Sequence, residues 1–204
     1  MDKGIVMTKQ NVLALLAKRK FRTMRVIKPQ PYLDTNTNEW VYRYKTKKHN
    51  VEQFANATEA LKDLAPYQVG DRLYVKEGYQ IKSLQVNPDY GFVGNYLADG
   101  KEFLCRLTTK ESNKWVNRTF PHRPTSGRFM YKSLARIFMT ITKITVQRPR
   151  DLEPEDIIAE GLRASSSMDL IACWSDLWNS LHKDGWKKNE WCFVYHWEEI
   201  EEKE

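Results

Sequence analysis

Five of the eight residues from Lys18 to Arg25 are basic, and a single hydroxyl, that of Thr23, stands among them. Ammonium and guanidinium groups gathered on a short segment take phosphate oxygens through charge-assisted hydrogen bonds. The segment is therefore read as a basic pocket, built around Lys20, Thr23 and Arg25, that receives a nucleotide or a nucleic acid. The other residues expected to face such a ligand are Arg19, Lys76, Glu77, Tyr79, Arg128, Lys132 and Arg136. Tyr74, Tyr79, Trp115 and Tyr131 are candidates for stacking on a base, an interaction that tolerates any sequence. Plainer roles stand beside these: Glu77 in a salt bridge, Arg136 packed against an aromatic strand, Thr23 as an ordinary strand residue. The four histidines, at 49, 122, 182 and 196, have no metal-ligand spacing, so neither a metal nor a cofactor is expected.

The elements that would position these groups follow from periodicity. From the N-cap candidate Thr8, apolar residues recur at Val12, Leu15 and Leu16, which predicts a short helix running into the basic cluster. Residues 21–27 read as a strand that stops at Lys28-Pro29-Gln30-Pro31, with Phe21, Thr23 and Arg25 on one face and Arg22, Met24 and Val26 on the other. Residues 34–50 are expected to form a hairpin or loop insertion and 51–64 a weakly amphipathic helix carrying Phe54, Leu61 and Leu64. Alternation over 72–77 predicts a strand, and Asp99-Gly100 between apolar pairs predicts a hairpin. A long basic loop over 110–128 comes next, then one long strand over 135–148. Helices are expected over 152–160, closed by Gly161, and over 168–182, with Leu170, Trp174, Leu177, Trp178 and Leu181 at helical spacing. A strand over 191–197 and an acidic solvated tail over 198–204 complete the chain.

At 204 residues the chain suits one domain, 1–204, and 41% hydrophobic residues exclude a disordered chain. The net charge of +7 is segregated: residues 1–150 hold 28 Lys or Arg against 12 acids, and residues 151–204 hold 5 against 14. A basic majority attracts phosphate, or simply solvates exposed faces. Cys105, Cys173 and Cys192 lack paired spacing and read as buried thiols. With no signal-peptide pattern and no apolar run of membrane-span length, the expected location is the cytoplasm. Short strands with a few helices and no regular βα alternation favour α+β or a decorated barrel.

The octet Lys18-Arg19-Lys20-Phe21-Arg22-Thr23-Met24-Arg25 resembles the GxKxxExR signature of the ASCH family, a branch of the PUA-like β-barrel superfamily, with Lys18 in place of the Gly and Thr23 in place of the Glu. In the phage-associated branch the motif often reads like GRKTQTRR followed by IKPQP, and residues 26–31 repeat that continuation. Residues 70–77 (GDRLYVKE), 130–137 ending in Ala-Arg-Ile, 152–161 (LEPEDIIAEG) and 191–195 (WCFVY) resemble further segments of that branch in the same order. Ala135 stands where Ser is common and Tyr131 where Pro is common. The resemblance implies an α+β, PUA-like (ASCH) β-barrel decorated by several helices, in a cytoplasm that would be a bacterial host's if the protein is phage-encoded.

The family's bacterial amidohydrolases, which deacetylate N4-acetylcytidine, are similar at Lys20, Thr23 and Glu160. The resemblance thus implies Lys20 as base, Thr23 as nucleophile and Glu160 as proton shuttle. The alternative keeps Lys20 and Arg25 as phosphate anchors and Glu160 as the partner of a nearby Arg. Two main functions follow. The first is a binding module for RNA, single-stranded nucleic acid or a modified nucleoside; the alternative to it is an amidohydrolase acting on an N4-acylated cytosine nucleoside. A ribonuclease ranks behind them, as does a protein partner docked on the basic loop. No membrane partner is expected.

Overall fold

A computed structural model of the chain describes residues 2–36, 39–45, 50–54, 61–85, 91–106 and 123–203. The fold is α+β, and the contacts divide it into two units. The first comprises Met1–Ala17, Arg72–Met139 and Ile200–Glu204; the second comprises Lys18–Asp71 and Thr140–Glu199.

In the first unit, β1 (Lys3–Val6) lies parallel to β6 (Arg72–Lys76), with Ile5 opposite Val75. The sheet continues through β10 (Ile137–Thr140) to β13 (Ile200–Glu202), in the order β1-β6-β10-β13. Leu73 and Val75 are buried while their neighbours on β6 are half-buried, the two-residue period read from the sequence. α1 (Lys9–Leu16) starts at Thr8, whose Oγ1 accepts from Asn11 N at 3.3 Å. A meander, β7 (Tyr79–Gln85), β8 (Gly91–Tyr96) and β9 (Glu102–Arg106), forms the other sheet. Its β8–β9 turn needs Gly100, which has φ +79° and donates its N–H to Tyr96 O at 2.9 Å.

In the second unit, β2 (Arg22–Val26) forms one edge of a sheet with β12 (Cys192–His196) at its centre and β11 (Lys143–Gln147) beyond it. β3 (Tyr32–Asp34), β4 (Glu39–Lys45) and β5 (Asn50–Phe54) make a separate antiparallel sheet. α2 (Pro154–Ala159) begins with a proline at its first position and two acids in its first turn, and ends at Gly161 with φ +100°. α3 (Ser167–Leu181) is capped by Ser166, whose Oγ accepts from Asp169 N at 3.2 Å. It buries Leu170, Trp174 and Trp178, one every four residues. With Leu152 and Ile157 they cover Met24, Cys192 and Val194 of the sheet. Trp174 keeps its Nε1–H paired with Pro149 O at 2.9 Å. α4 (Gly185–Lys188) follows.

Several sequence expectations change. The strand expected over 135–148 is two strands, β10 and β11, in different sheets. The break is at Ile141, whose N–H goes to Asp71 O at 3.0 Å and whose C=O accepts from Gly70 N at 2.8 Å. Alternation runs unbroken through it because both sheets demand the same period. Residues 50–54 are strand and not helix, with Phe54 opposite Val41, while 55–60 lie outside the described residues; over 34–50 the hairpin alternative fits, with β4 antiparallel to β3 and β5. The acidic tail is also structured: Ile200 pairs with Met139, Glu201 reaches Arg72 at 2.5 Å and Glu202 reaches Lys101 at 3.0 Å. Most of the basic loop, 107–122, lies outside the described residues, together with Trp115. Cys105 and Cys192 are buried, but Cys173 is exposed on α3. The described strands form four sheets, none of which closes into a barrel. Among the described residues no helix is long and apolar enough to cross a membrane.

Candidate functional site

The basic octet begins at Lys18, which adopts φ +51°, in the left-handed region. Two backbone bonds fix the segment between the sheet and α2. Phe21 N donates to Ala159 O at 2.8 Å, and Trp197 N donates to Phe21 O at 3.0 Å. The Trp197 indole adds a third, from Nε1 to Lys20 O at 3.0 Å. The start of β2 is thereby joined to the last turn of α2.

Glu160 is the C-cap of that helix. Lys20 Nζ donates to Glu160 Oε2 at 2.6 Å and to the Glu160 carbonyl oxygen at 2.8 Å, although the two residues are 140 positions apart. Lys20 is 2% exposed, Thr23 4% and Glu160 5%. Such burial is rare for a lysine or glutamate and is tolerated when the charges pair. Arg19 caps the same helix end, donating from Nη1 to Gly161 O at 2.9 Å. Lys20 and Arg19 are thus engaged within the protein.

On β2, Thr23 lies opposite Tyr195, and Arg25 lies opposite Phe193. Facing residues of an antiparallel pair project to one side, so Thr23, Arg25 and Tyr195 share a face, and Tyr67 meets Tyr195 edge-on at 5.1 Å. Arg25 is half-buried. Burial pushes the Lys20 ammonium below its ordinary pKa against the opposing pull of Glu160, and the Arg25 and Arg22 charges push the same way as burial. Burial also lowers Arg25, opposed by Tyr67, Glu160 and Tyr195. A buried amine whose pKa is depressed gives up its proton more readily than an exposed lysine, and this one lies 2.6 Å from a carboxylate.

The remaining expected site residues belong to the first unit. Arg136 donates from Nε and Nη2 to the two Glu77 oxygens, both at 2.9 Å, and from Nη1 to Asp99 Oδ2 at 2.7 Å. Its guanidinium lies 4.0 Å over the Tyr96 ring. Burial raises the Glu77 pKa while Arg136 pulls it down. Lys76 Nζ donates to Arg128 O at 2.7 Å, and Lys132 Nζ is 2.9 Å from Asp2 Oδ2. Tyr79, expected to be exposed for stacking, is 1% exposed and packs with Tyr96, Met130 and Leu134; Tyr74 is half-buried. Arg128 and Tyr131 do face solvent.

Sequence reasoning missed Arg22 and Asp156. Arg22 is 1% exposed and bonds to Asp156 Oδ1 and, at 2.8 Å, to Gln147 Oε1. The signal was Asp156 and Glu160 at helical spacing i and i+4, two acids on one helix face that call for a cation. Comparison of the chain with protein-family models, curated proteins and solved structures found no match.

Proposed function

We propose that the protein is an amidohydrolase acting on an N4-acylated cytosine nucleoside, on a PUA-like scaffold of the ASCH kind. The reading rests on the Lys20–Glu160 contact of 2.6 Å, which joins two of the three residues that the family resemblance assigns to catalysis. Lys20 first passes a proton to Glu160, leaving a neutral amine. The amine takes the Thr23 Oγ1 proton as that oxygen forms a bond to the amide carbonyl carbon. The tetrahedral intermediate then breaks its C–N bond, and Glu160 protonates the departing cytosine amine. Water hydrolyses the threonine ester, so that amide and water become amine and carboxylic acid.

N4-acetylcytidine mixed with the protein should change absorbance as cytidine forms, and Lys20→Ala, Thr23→Val and Glu160→Gln should each suppress the change. No turnover by the wild-type protein would end this reading. A second reading, binding of a nucleotide or single-stranded nucleic acid without hydrolysis, is favoured by Arg25, half-buried on the Thr23 face, and by the net charge of +7. It predicts affinity for RNA or single-stranded DNA that falls steeply with salt. Absence of salt-sensitive binding across RNA, single-stranded DNA and duplex DNA would exclude it.

A further inference from the structure

The Glu160 carboxylate is placed between two buried cations. Its Oε2 takes Lys20 Nζ at 2.6 Å, and its Oε1 faces Arg22 Nε at 3.7 Å. Neither Oε1 nor Nε has a hydrogen-bond partner among the described residues, and the two face each other as an ion pair. Arg22 is itself held from two sides. Asp156, one helical turn before Glu160 on α2, takes one end of the guanidinium, and Gln147 on β11 takes the other at 2.8 Å.

We infer that Arg22 is a positioning residue for the proposed hydrolysis: it fixes the plane of the Glu160 carboxylate, so that one oxygen meets Lys20 while the other faces Arg22. This rests on the amidohydrolase reading for its consequence, but not for its geometry. Arg22 lies opposite His196 on the helix-covered face of β2, whereas Thr23 lies opposite Tyr195 on the other face. Arg22 is buried, with its two terminal nitrogens taken by Asp156 and Gln147, so it acts through Glu160 and not by touching the substrate. The rigid fork of a guanidinium suits the task, since it can hold Asp156 and Gln147 while presenting Nε to a second carboxylate. The charged and titratable groups around Lys20 include Asp156 of α2 and its C-cap Glu160, Arg22 and Arg25 from β2, and Cys192 and His196 from β12.

The test is a titration of the Lys20 side chain by NMR, with the resonance assigned through Lys20→Arg, in the wild type, Arg22→Met and Arg22→Lys. Loss of the neighbouring cation, with the whole Glu160 charge left to Lys20, should raise the Lys20 pKa by about one pH unit in Arg22→Met. The rate profile for N4-acetylcytidine should move to alkaline pH by the same amount, with kcat at neutral pH down about tenfold and KM unchanged. Arg22→Lys should recover most of the shift. If Arg22→Met does not fold, Arg22→Met combined with Asp156→Asn removes the stranded carboxylate and should show the same displacement. An unmoved Lys20 titration in a folded variant overturns the inference, as does a rise in KM at constant kcat. Failure of the wild type to hydrolyse the substrate would defeat the functional reading alone, because the Lys20 titration still decides the role of Arg22.

Discussion

Arg136 in the first unit and Lys20 in the second are both buried cations held by a glutamate, yet the two sites differ in what remains unsatisfied. Arg136 has Glu77 on one edge, Asp99 on another and the Tyr96 ring beneath it. Its carboxylate partner is bound through both oxygens. At the Lys20 site, one Glu160 oxygen lacks a hydrogen bond, and the cation is one that can lose its proton. A guanidinium cannot do so under ordinary conditions, and burial here leaves the Arg136 pKa above its usual value because Glu77 and Asp99 outweigh desolvation. The comparison separates a buried charge that is locked from one that is poised. Only the second arrangement holds a cation that can lose its proton at ordinary pH.

The contrast can be broken most forcefully at Arg136. Arg136→Met leaves Glu77 buried without its partner and should cost about 3–5 kcal/mol of stability, read as a lowered midpoint in urea unfolding. A loss below about 1 kcal/mol would mean that the network is not structural. Lys20→Met should act on chemistry instead, reducing N4-acetylcytidine turnover by roughly 10²-fold, about 3 kcal/mol in barrier height. Its stability loss should be smaller than that of Arg136→Met, because Glu160 keeps the Arg22 cation beside it; equal losses would erase the distinction. Gly127→Ala probes the Arg136 network indirectly. A Cβ at Gly127 would lie 2.5 Å from Lys76 O and 2.8 Å from Glu77 C, backbone atoms that cannot rotate away. The expected cost is about 1–3 kcal/mol, with the unfolding midpoint again as the measure.

The smallest effect expected is at His196, beside Arg22 in the β2–β12 register. Burial first, and then the Arg22 charge, lower its pKa to about 4. The unfolded chain binds this proton near its ordinary pKa of about 6.5. Stability should therefore fall as pH drops from about 6.5 to about 4 and level off below, by about 1–2 kcal/mol in total for a side chain that keeps some access to water. His196→Gln should flatten that part of the stability profile. An unchanged slope would show that the imidazole does not titrate there.

Much of the local structure was legible. Thr8 and its Asn11 partner, the Asp99-Gly100 turn and the four-residue spacing of Leu170, Trp174 and Trp178 each lie within a few positions, so short-range propensity and periodicity suffice. The two faces of β2 were legible for the same reason. The division of residues 135–148 between two sheets was not, because the break at Ile141 depends on Asp71 and Gly70, about seventy residues away. Nor was β13, whose acids resemble a solvated tail until Arg72 and Lys101 are placed beside them.

The candidate site divides in the same way. By itself the sequence placed Lys20 just before a strand that carries Thr23 and Arg25 on one face, and left open whether the Lys20 and Thr23 side chains converge. Only the tertiary structure decided that Glu160 closes on Lys20 and that Arg22 stands behind it, contacts that span 140 and 138 positions. A buried charge takes its partner from whatever the fold brings within a few ångströms, and no local pattern encodes that choice.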